Sequence, residues 1–243
     1  PTPTVLPVRA NTPIPRRVTQ ISPSNAGLVE QLALWGDFSI VDLAWSPDGG
    51  ILAAASTNGI HFYDSQTLQE ILMISQYAVT SIAISPDGLK LASGAEDGSI
   101  NLWRISDGEL LRTTGDENWY PINSIAFLPD GKRLISASGN QITLWRVSDG
   151  DVIASEYIRE INDMALSLDG TTIAVGASEG IYLLPVSDNP LEHQMRIVDY
   201  WGVDNISFSP DGTLLLGSVG DSICLWRVSD GGLLRELEVS VEG

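Results

Sequence analysis

Few side chains in this chain are equipped for chemistry, and their spacing narrows the possibilities further. The chain has two histidines, His61 and His193, and one cysteine, Cys224. His61 sits in an apolar alternating segment, IHFY (60–63), and His193 in an irregular stretch far along the chain, so no shared metal or acid–base site is expected. Cys224 lies in ICLW (223–226); a lone cysteine excludes an intrachain disulfide and reads as a small buried apolar residue. There is no glycine-rich phosphate loop, zinc-ligand spacing or nucleophile elbow. No catalytic residue, metal or cofactor is therefore assigned. What does recur is aromatic. Phe38, Tyr77, Tyr120, Arg159 and Trp201 each stand two residues before an apolar alternating segment, and Trp119 and Tyr200 flank two of them. Aromatic rings and an arginine ringed by polar groups resemble a recognition hot spot. The same residues are equally able to pack on neighbouring loops, and residue type alone leaves both readings open.

The segments that must position these residues repeat. IVDLAW (40–45), VTSIAI (79–84), INSIAF (122–127), INDMAL (161–166) and VDNISF (203–208) each run into a tight turn. The turns read SPDG, SPDG, LPDG, SLDG and SPDG, with aspartates at Asp48, Asp87, Asp130, Asp169 and Asp211, separated by 39, 43, 39 and 42 residues. Asp-Gly suits a tight reversal, because Gly tolerates positive φ and Asp bonds its own backbone. A second strand rich in small residues follows, as in ILAAAS and KLASGA, then a third, as in INLW (100–103) and ITLW (142–145). An SDG or SDN turn and a fourth strand, as in ELLRTT (109–114) and GLLREL (232–237), close the unit. Four short strands with turns every few residues form one small antiparallel sheet, and a period near forty residues marks a repeat architecture. One such sheet leaves both faces uncovered, so the units must stack, here around an axis.

The apolar strand, SPDG turn, small-residue strand and LWR-x-SDG resemble the WD-repeat β-propellers, in a degenerate form of bacterial type, over about residues 40–239. The resemblance implies an all-β propeller of four-stranded antiparallel blades, five of them recognisable. The blades are placed at about 40–78, 79–121, 122–160, 161–202 and 203–243. The Trp-Asp pair that names the family is Trp-Arg here, at Trp103–Arg104, Trp145–Arg146 and Trp226–Arg227. Of the family's buried Asp-His-Ser-Trp network, Ser93, Ser136 and these tryptophans match, with Asp97 a candidate fourth member. The tryptophans are expected to be buried between blades. QLALW (31–35) has the character of a fourth strand without the preceding three, so either it adds an outer strand or the chain is part of a longer propeller. In the family, the loops entering the first strands, together with the turns between second and third strands, lie on the face that most often binds partners.

The net charge is −18 with a pI near 4.2, which disfavours nucleic acid and anionic membranes as partners. Nine aspartates sit in the repeated turns, where geometry selects them. No run approaches the ~18 consecutive apolar residues of a membrane span, so no direct membrane insertion is expected. Residues 1–20 are rich in Pro and Thr and read as a tail or linker, and 21–39 as a short helix and lead-in strand. The tail is expected to tether a secreted or surface-attached bacterial protein outside the cytoplasm. The expected function is a non-enzymatic scaffold binding a protein or peptide through the aromatic loop face. A glycan-binding or enzymatic propeller with a site at the channel mouth, and a structural subunit of a larger complex, stand as alternatives.

Overall fold

A computed structural model describes residues 39–115, 120–186, 202–238 and the backbone of 195–198. The tail at 1–20, the expected helix at 21–32 and QLALW lie outside the described residues. All regular structure in the described residues is β-strand. The strands form five sheets of four, each a simple meander in chain order. Blade one holds β1 (Ile40–Trp45), β2 (Ile51–Ser56), β3 (Gly59–Asp64) and β4 (Glu70–Ile74). Blade two holds β5 (Val79–Ile84), β6 (Lys90–Ala95), β7 (Ser99–Arg104) and β8 (Leu110–Gly115). Blade three holds β9 (Ile122–Phe127), β10 (Arg133–Ser138), β11 (Gln141–Arg146) and β12 (Val152–Tyr157). Blade four holds β13 (Ile161–Leu166), β14 (Thr172–Ala177), β15 (Gly180–Pro185) and β16 (Met195–Val198). Blade five holds β17 (Val203–Phe208), β18 (Leu214–Val219), β19 (Ser222–Arg227) and β20 (Leu233–Glu238). The fourth strands of blades two and five start and end one residue later than the sequence pattern suggests.

The first turn of each blade is built from its own side chains. In blade one, the Ser46 hydroxyl donates to Asp48 Oδ1 at 2.6 Å, Gly50 N–H donates to the same oxygen at 2.9 Å, and Ile51 N–H donates to Ser46 Oγ at 2.8 Å. Ser85–Asp87, Ser167–Asp169 and Ser209–Asp211 repeat the arrangement. The following glycines take φ between 62° and 72°, a region costly for residues with a Cβ. Blade three is a natural control. Leu128 replaces the serine and is fully buried, and Asp130 itself accepts the N–H groups of Lys132 and Arg133. In the second type of turn, Arg104, Arg146 and Arg227 donate to Asp107, Asp149 and Asp230. Trp-Arg therefore does locally what an acidic partner does at the equivalent Asp64, whose carboxylate accepts from the Thr67 backbone and hydroxyl.

Strand tryptophans Trp103, Trp145 and Trp226 are buried, as expected. Trp103 Nε1 donates to Ser93 Oγ at 2.8 Å, and Ser93 donates to Gln76 Oε1 at 2.6 Å. Trp145 bonds Ser136 in the same way. Asp97 is not part of this network: it accepts the Ser99 N–H in its own turn, and Gln76 takes the position at the end of the relay.

Apolar layers between blades supply the cohesion. Four clusters of buried residues occur, each spanning two consecutive blades. Phe62 and Ile60 of blade one meet Trp103 and Leu91 of blade two, and Ala174 and Ile181 of blade four meet Trp226 and Leu215 of blade five. The innermost strands carry a second device. Pairing with the second strand shifts register at the second residue of each first strand, leaving Val41, Thr80, Asn123, Asn162 and Asp204 as bulged residues. Three of these reach the next blade: Thr80 donates to the Ile122 carbonyl, Asn123 to Ile161 and Asn162 to Val203, at 2.6, 2.6 and 3.0 Å. Blade one uses the next residue instead. Asp42 accepts Leu43 N–H with one oxygen and, with the other, Ile82 N–H and the Ser81 hydroxyl of blade two. Asp163 does the same between Met164 and Ile206 of blade five. Burial pushes the Asp163 carboxyl up, against the pull of the two N–H donors, and the Asp42 charge adds to the rise.

The outward faces of the two end blades are not sealed. Ile82, Ile125, Met164 and Ile206 are 5–6% exposed, whereas the equivalent Leu43 of blade one is 55% exposed. Ile60, Ile100, Ile142 and Ile181 are 0–2% exposed, whereas the equivalent Ile223 of blade five is 39% exposed.

The turn carboxylates set the acid behaviour. Asp48, Asp87, Asp169 and Asp211 are lowered first by the serine hydroxyl and next by a backbone N–H, and Asp211 falls to about 2. A carboxylate lowered on folding stabilises the fold fully above its ordinary 3.8 and loses that contribution as pH falls toward the folded value. Asp163 is raised and acts in the opposite sense, favouring the fold less as pH rises past 3.8. The turns outnumber it, so urea unfolding followed against pH should show stability falling as pH drops from ~4 toward ~2. The Ser85→Ala variant should weaken that dependence.

Candidate functional site

Antiparallel order places the SPDG and SDG turns at one end of every blade. The loops entering the first strands and the turns between second and third strands lie at the other. Backbone bonds knit this second rim together. Glu96 N–H donates to the Ala78 carbonyl, Ile161 N–H to Gly139 and Ile158 N–H to Asn140. Glu160 N–H donates to the Asn140 side-chain oxygen at 2.7 Å, tying blade four's entry loop to blade three's turn.

Three of the seven sequence-predicted residues fall on this rim. Tyr77 is 79% exposed, Tyr120 is 51% exposed, and the Arg159 side chain is 60% exposed. Phe38, Trp119, Tyr200 and Trp201 lie outside the described residues. The three differ in how they are held. Tyr120 lies over the turn of its own blade: a Cβ at Gly139 would sit 2.7 Å from Tyr120 Cγ, and Ser138 donates to the Tyr120 carbonyl. Gly139 has φ 53° and no Cβ, and both are required there. Arg159 is oriented by carboxylates, with Nη1 3.4 Å from Glu179 and Nε 3.8 Å from Glu160. Tyr77 projects into solvent. The residue after Tyr77, Ala78, has φ 57°, and the residue after Arg159, Glu160, has φ 50°. Left-handed backbone costs a residue with a Cβ about 1–2 kcal/mol. Gly202 occupies the same place in blade five at φ 71°. The sequence signal for this was a glycine at one of five aligned positions, too sparse to read.

The groups with reactive potential are turned inward. His61 is buried, hydrogen-bonded through Nδ1 to Glu70 at 3.0 Å and through Nε2 to Asn58 at 2.9 Å, and stacked on Tyr63. The pairing of Asn58 and Glu70 with His61 was not evident in the sequence, since the three residues lie on separate elements of blade one. Cys224 is buried, and burial, with the Glu236 charge, pushes its thiol up, away from the thiolate. His193 lies outside the described residues. No group of three or more His, Cys, Asp or Glu side chains converges on a metal position among the described residues. What the rim offers chemically is contact: flat rings, one guanidinium and carboxylates around it.

Exposure separates the two tyrosines. Tyr77→Ala should change stability by no more than about 0.5 kcal/mol, as for surface substitutions. Tyr120→Ala, which strips a ring from Gly139, should destabilise measurably more. Thermal unfolding of the two variants checks the order.

The family described as the nucleolar protein 10-like N-terminal domain, a β-propeller, matches residues 35–186, and the WD domain, G-beta repeat, matches residues 194–227. The chain is 25% identical over 212 residues to the transcriptional corepressor LEUNIG_HOMOLOG of Arabidopsis thaliana, covering 83% of this chain and 26% of that one. It is 28% identical over 186 residues to the periodic tryptophan protein 2 homolog of Neurospora crassa, covering 66% and 20%. With an uncharacterized WD repeat-containing protein of Synechocystis the identity is 31% over 125 residues, covering 48% and 34%. The chain thus spans between a fifth and about a third of the length of these relatives. With five meander blades sealed in succession and the match across 35–186, the chain belongs to the family of WD-repeat β-propellers represented by the nucleolar protein 10-like N-terminal domain.

Proposed function

We propose that this propeller is a non-enzymatic scaffold that binds a protein or peptide through the rim carrying Tyr77, Tyr120 and Arg159. The observation that supports this most is the exposure of these three side chains at equivalent positions of consecutive blades, on a rim where backbone bonds tie entry loops to neighbouring turns, as Ile161 N–H to Gly139 and Glu160 N–H to Asn140 do between blades four and three. A rigid aromatic surface loses little conformational entropy on binding, and Tyr and Arg are the residues most often found to dominate such contacts. The inward placement of His61 and Cys224 supports recognition over catalysis.

A second reading, a subunit of a larger assembly, is favoured by a separate observation. Leu43 and Trp45 of blade one and Leu216 and Ile223 of blade five present apolar faces to water. Neighbouring blades bury the equivalent positions of Leu43 and Ile223 almost completely.

The rim is tested by capture from the native source with the wild-type chain and with a Tyr77→Ala, Tyr120→Ala, Arg159→Glu variant of unchanged circular dichroism. The rim reading expects partners recovered by the wild type and lost by the variant. Equal recovery by both removes the rim, and would shift attention to the end faces.

A further inference from the structure

The chain contains two lysines, Lys90 and Lys132. Both line one groove of about 580 Å³ between blades two and three, at the SPDG end of the blades and away from the aromatic rim. Arg112 and Arg146 line it with them, over a floor that includes Leu111 and Val147. Four cations around one groove are unexpected on a chain of net charge −18.

Two of the four are neutralised locally. Lys90 Nζ is 3.5 Å from Asp87, and Arg146 pairs with Asp149 at 2.9 Å and Asp151 at 3.5 Å. The other two are not. Arg112 spends one donor on the Ser148 carbonyl at 3.1 Å, and Lys132 has no ion pair among the described residues.

This cationic set is not part of the repeat template. The positions of Lys90, Arg112 and Lys132 are held by Ile51, Leu72 and Leu89 at the junction of blades one and two. There the same groove, about 540 Å³, is lined by Ile51, Leu89 and Ile105 with Arg104, which is paired with Asp107 and Glu109, and it adjoins the first through Lys90 and Leu111. At the next junction the three positions hold Arg133, Ala154 and Thr171, and that arginine is engaged by Asp130. A largely apolar shelf therefore continues into a cationic groove, and neither of the two flanking junctions repeats the set.

We infer that this groove binds an acidic peptide segment of a partner protein, with an apolar side chain set among carboxylates. The apolar side chain rests on Leu89 and Leu111, and the carboxylates meet Lys132 and Arg112. The net charge of −18 works against such a segment over the rest of the surface, which favours the groove. The flanking Asp87, Asp130, Asp149 and Asp151 disfavour a long polyanion such as nucleic acid, whose charge would overrun the groove onto carboxylates.

The test uses the full chain and a fluorescein-labelled peptide, EELEEL, in fluorescence anisotropy and in carbodiimide coupling, which joins carboxylates to lysine amines. Saturable binding is expected, with mass spectrometry placing the conjugate on Lys90 or Lys132. The Lys90→Glu, Lys132→Glu variant, at unchanged melting temperature, should bind at least about tenfold more weakly. The Tyr77→Ala variant should bind as the wild type does. The inference is overturned by absence of saturable binding or by a folded charge-reversed variant that binds normally. It is also overturned if the peptide EEGEEG, inorganic phosphate or oligo-dT occupies the groove equally well.

Discussion

A four-stranded sheet of six-residue strands has two apolar faces and nothing of its own to cover them. The way the described blades are held together follows from that constraint. Each face must find the face of a neighbour, so cohesion lives between blades: each of the four buried clusters joins two consecutive sheets. Apolar contact alone sets no rotation between the sheets. The bulged first strands supply the direction, because a bulge turns Thr80, Asn123 or Asn162 onto a carbonyl of the next blade. Asp42 and Asp163 bind two strands with one carboxylate each. A half-buried carboxylate without such donors would be costly, so each of these bonds favours one arrangement of blades over its neighbours.

The same arrangement divides the surface into two rims of different chemistry. The aspartate-rich end is acidic because its turns need side-chain acceptors, and those carboxylates are occupied by their own backbone. The charge that stands out there is the positive one, where Lys132 and Arg112 break the template. The opposite end carries Tyr77, Tyr120 and Arg159, and the residues that follow Tyr77 and Arg159, Ala78 and Glu160, take positive φ.

The strands, turns and buried tryptophans were legible in the sequence because each is encoded within a few residues: Asp-Gly for the reversal, alternation for the strand, Leu-Trp for the layer between blades. What was not legible spans more than one unit. The Trp103 relay ends on Gln76, which reaches Ser93 from the loop entering the blade; the sequence offered Asp97, a nearer acidic residue that is used by its own turn. The inter-blade bonds of Thr80, Asn123, Asn162, Asp42 and Asp163 join residues about one repeat apart, and their polar positions read as ordinary outward alternation. The cationic groove draws Lys90 and Arg112 from blade two and Lys132 from blade three, at three different positions of the template. Aligning repeats residue by residue keeps them apart; only the offset between neighbouring blades brings them together. Of the aromatic series, the sequence identified equivalent positions but not that Tyr77 stands free while Tyr120 leans on Gly139.

The central claim is that neighbours, and not the sheets themselves, hold each blade. Amide hydrogen exchange tests it most directly, because it reads the opening free energy strand by strand. The account predicts that β6, β10 and β14, in blades flanked on both sides, exchange only through global unfolding. The second strand of blade five, β18, with one face uncovered, should exchange through a local opening of distinctly lower free energy. Equal protection of the second strands in flanked and end blades would show that each sheet is stable by itself, and would contradict the account.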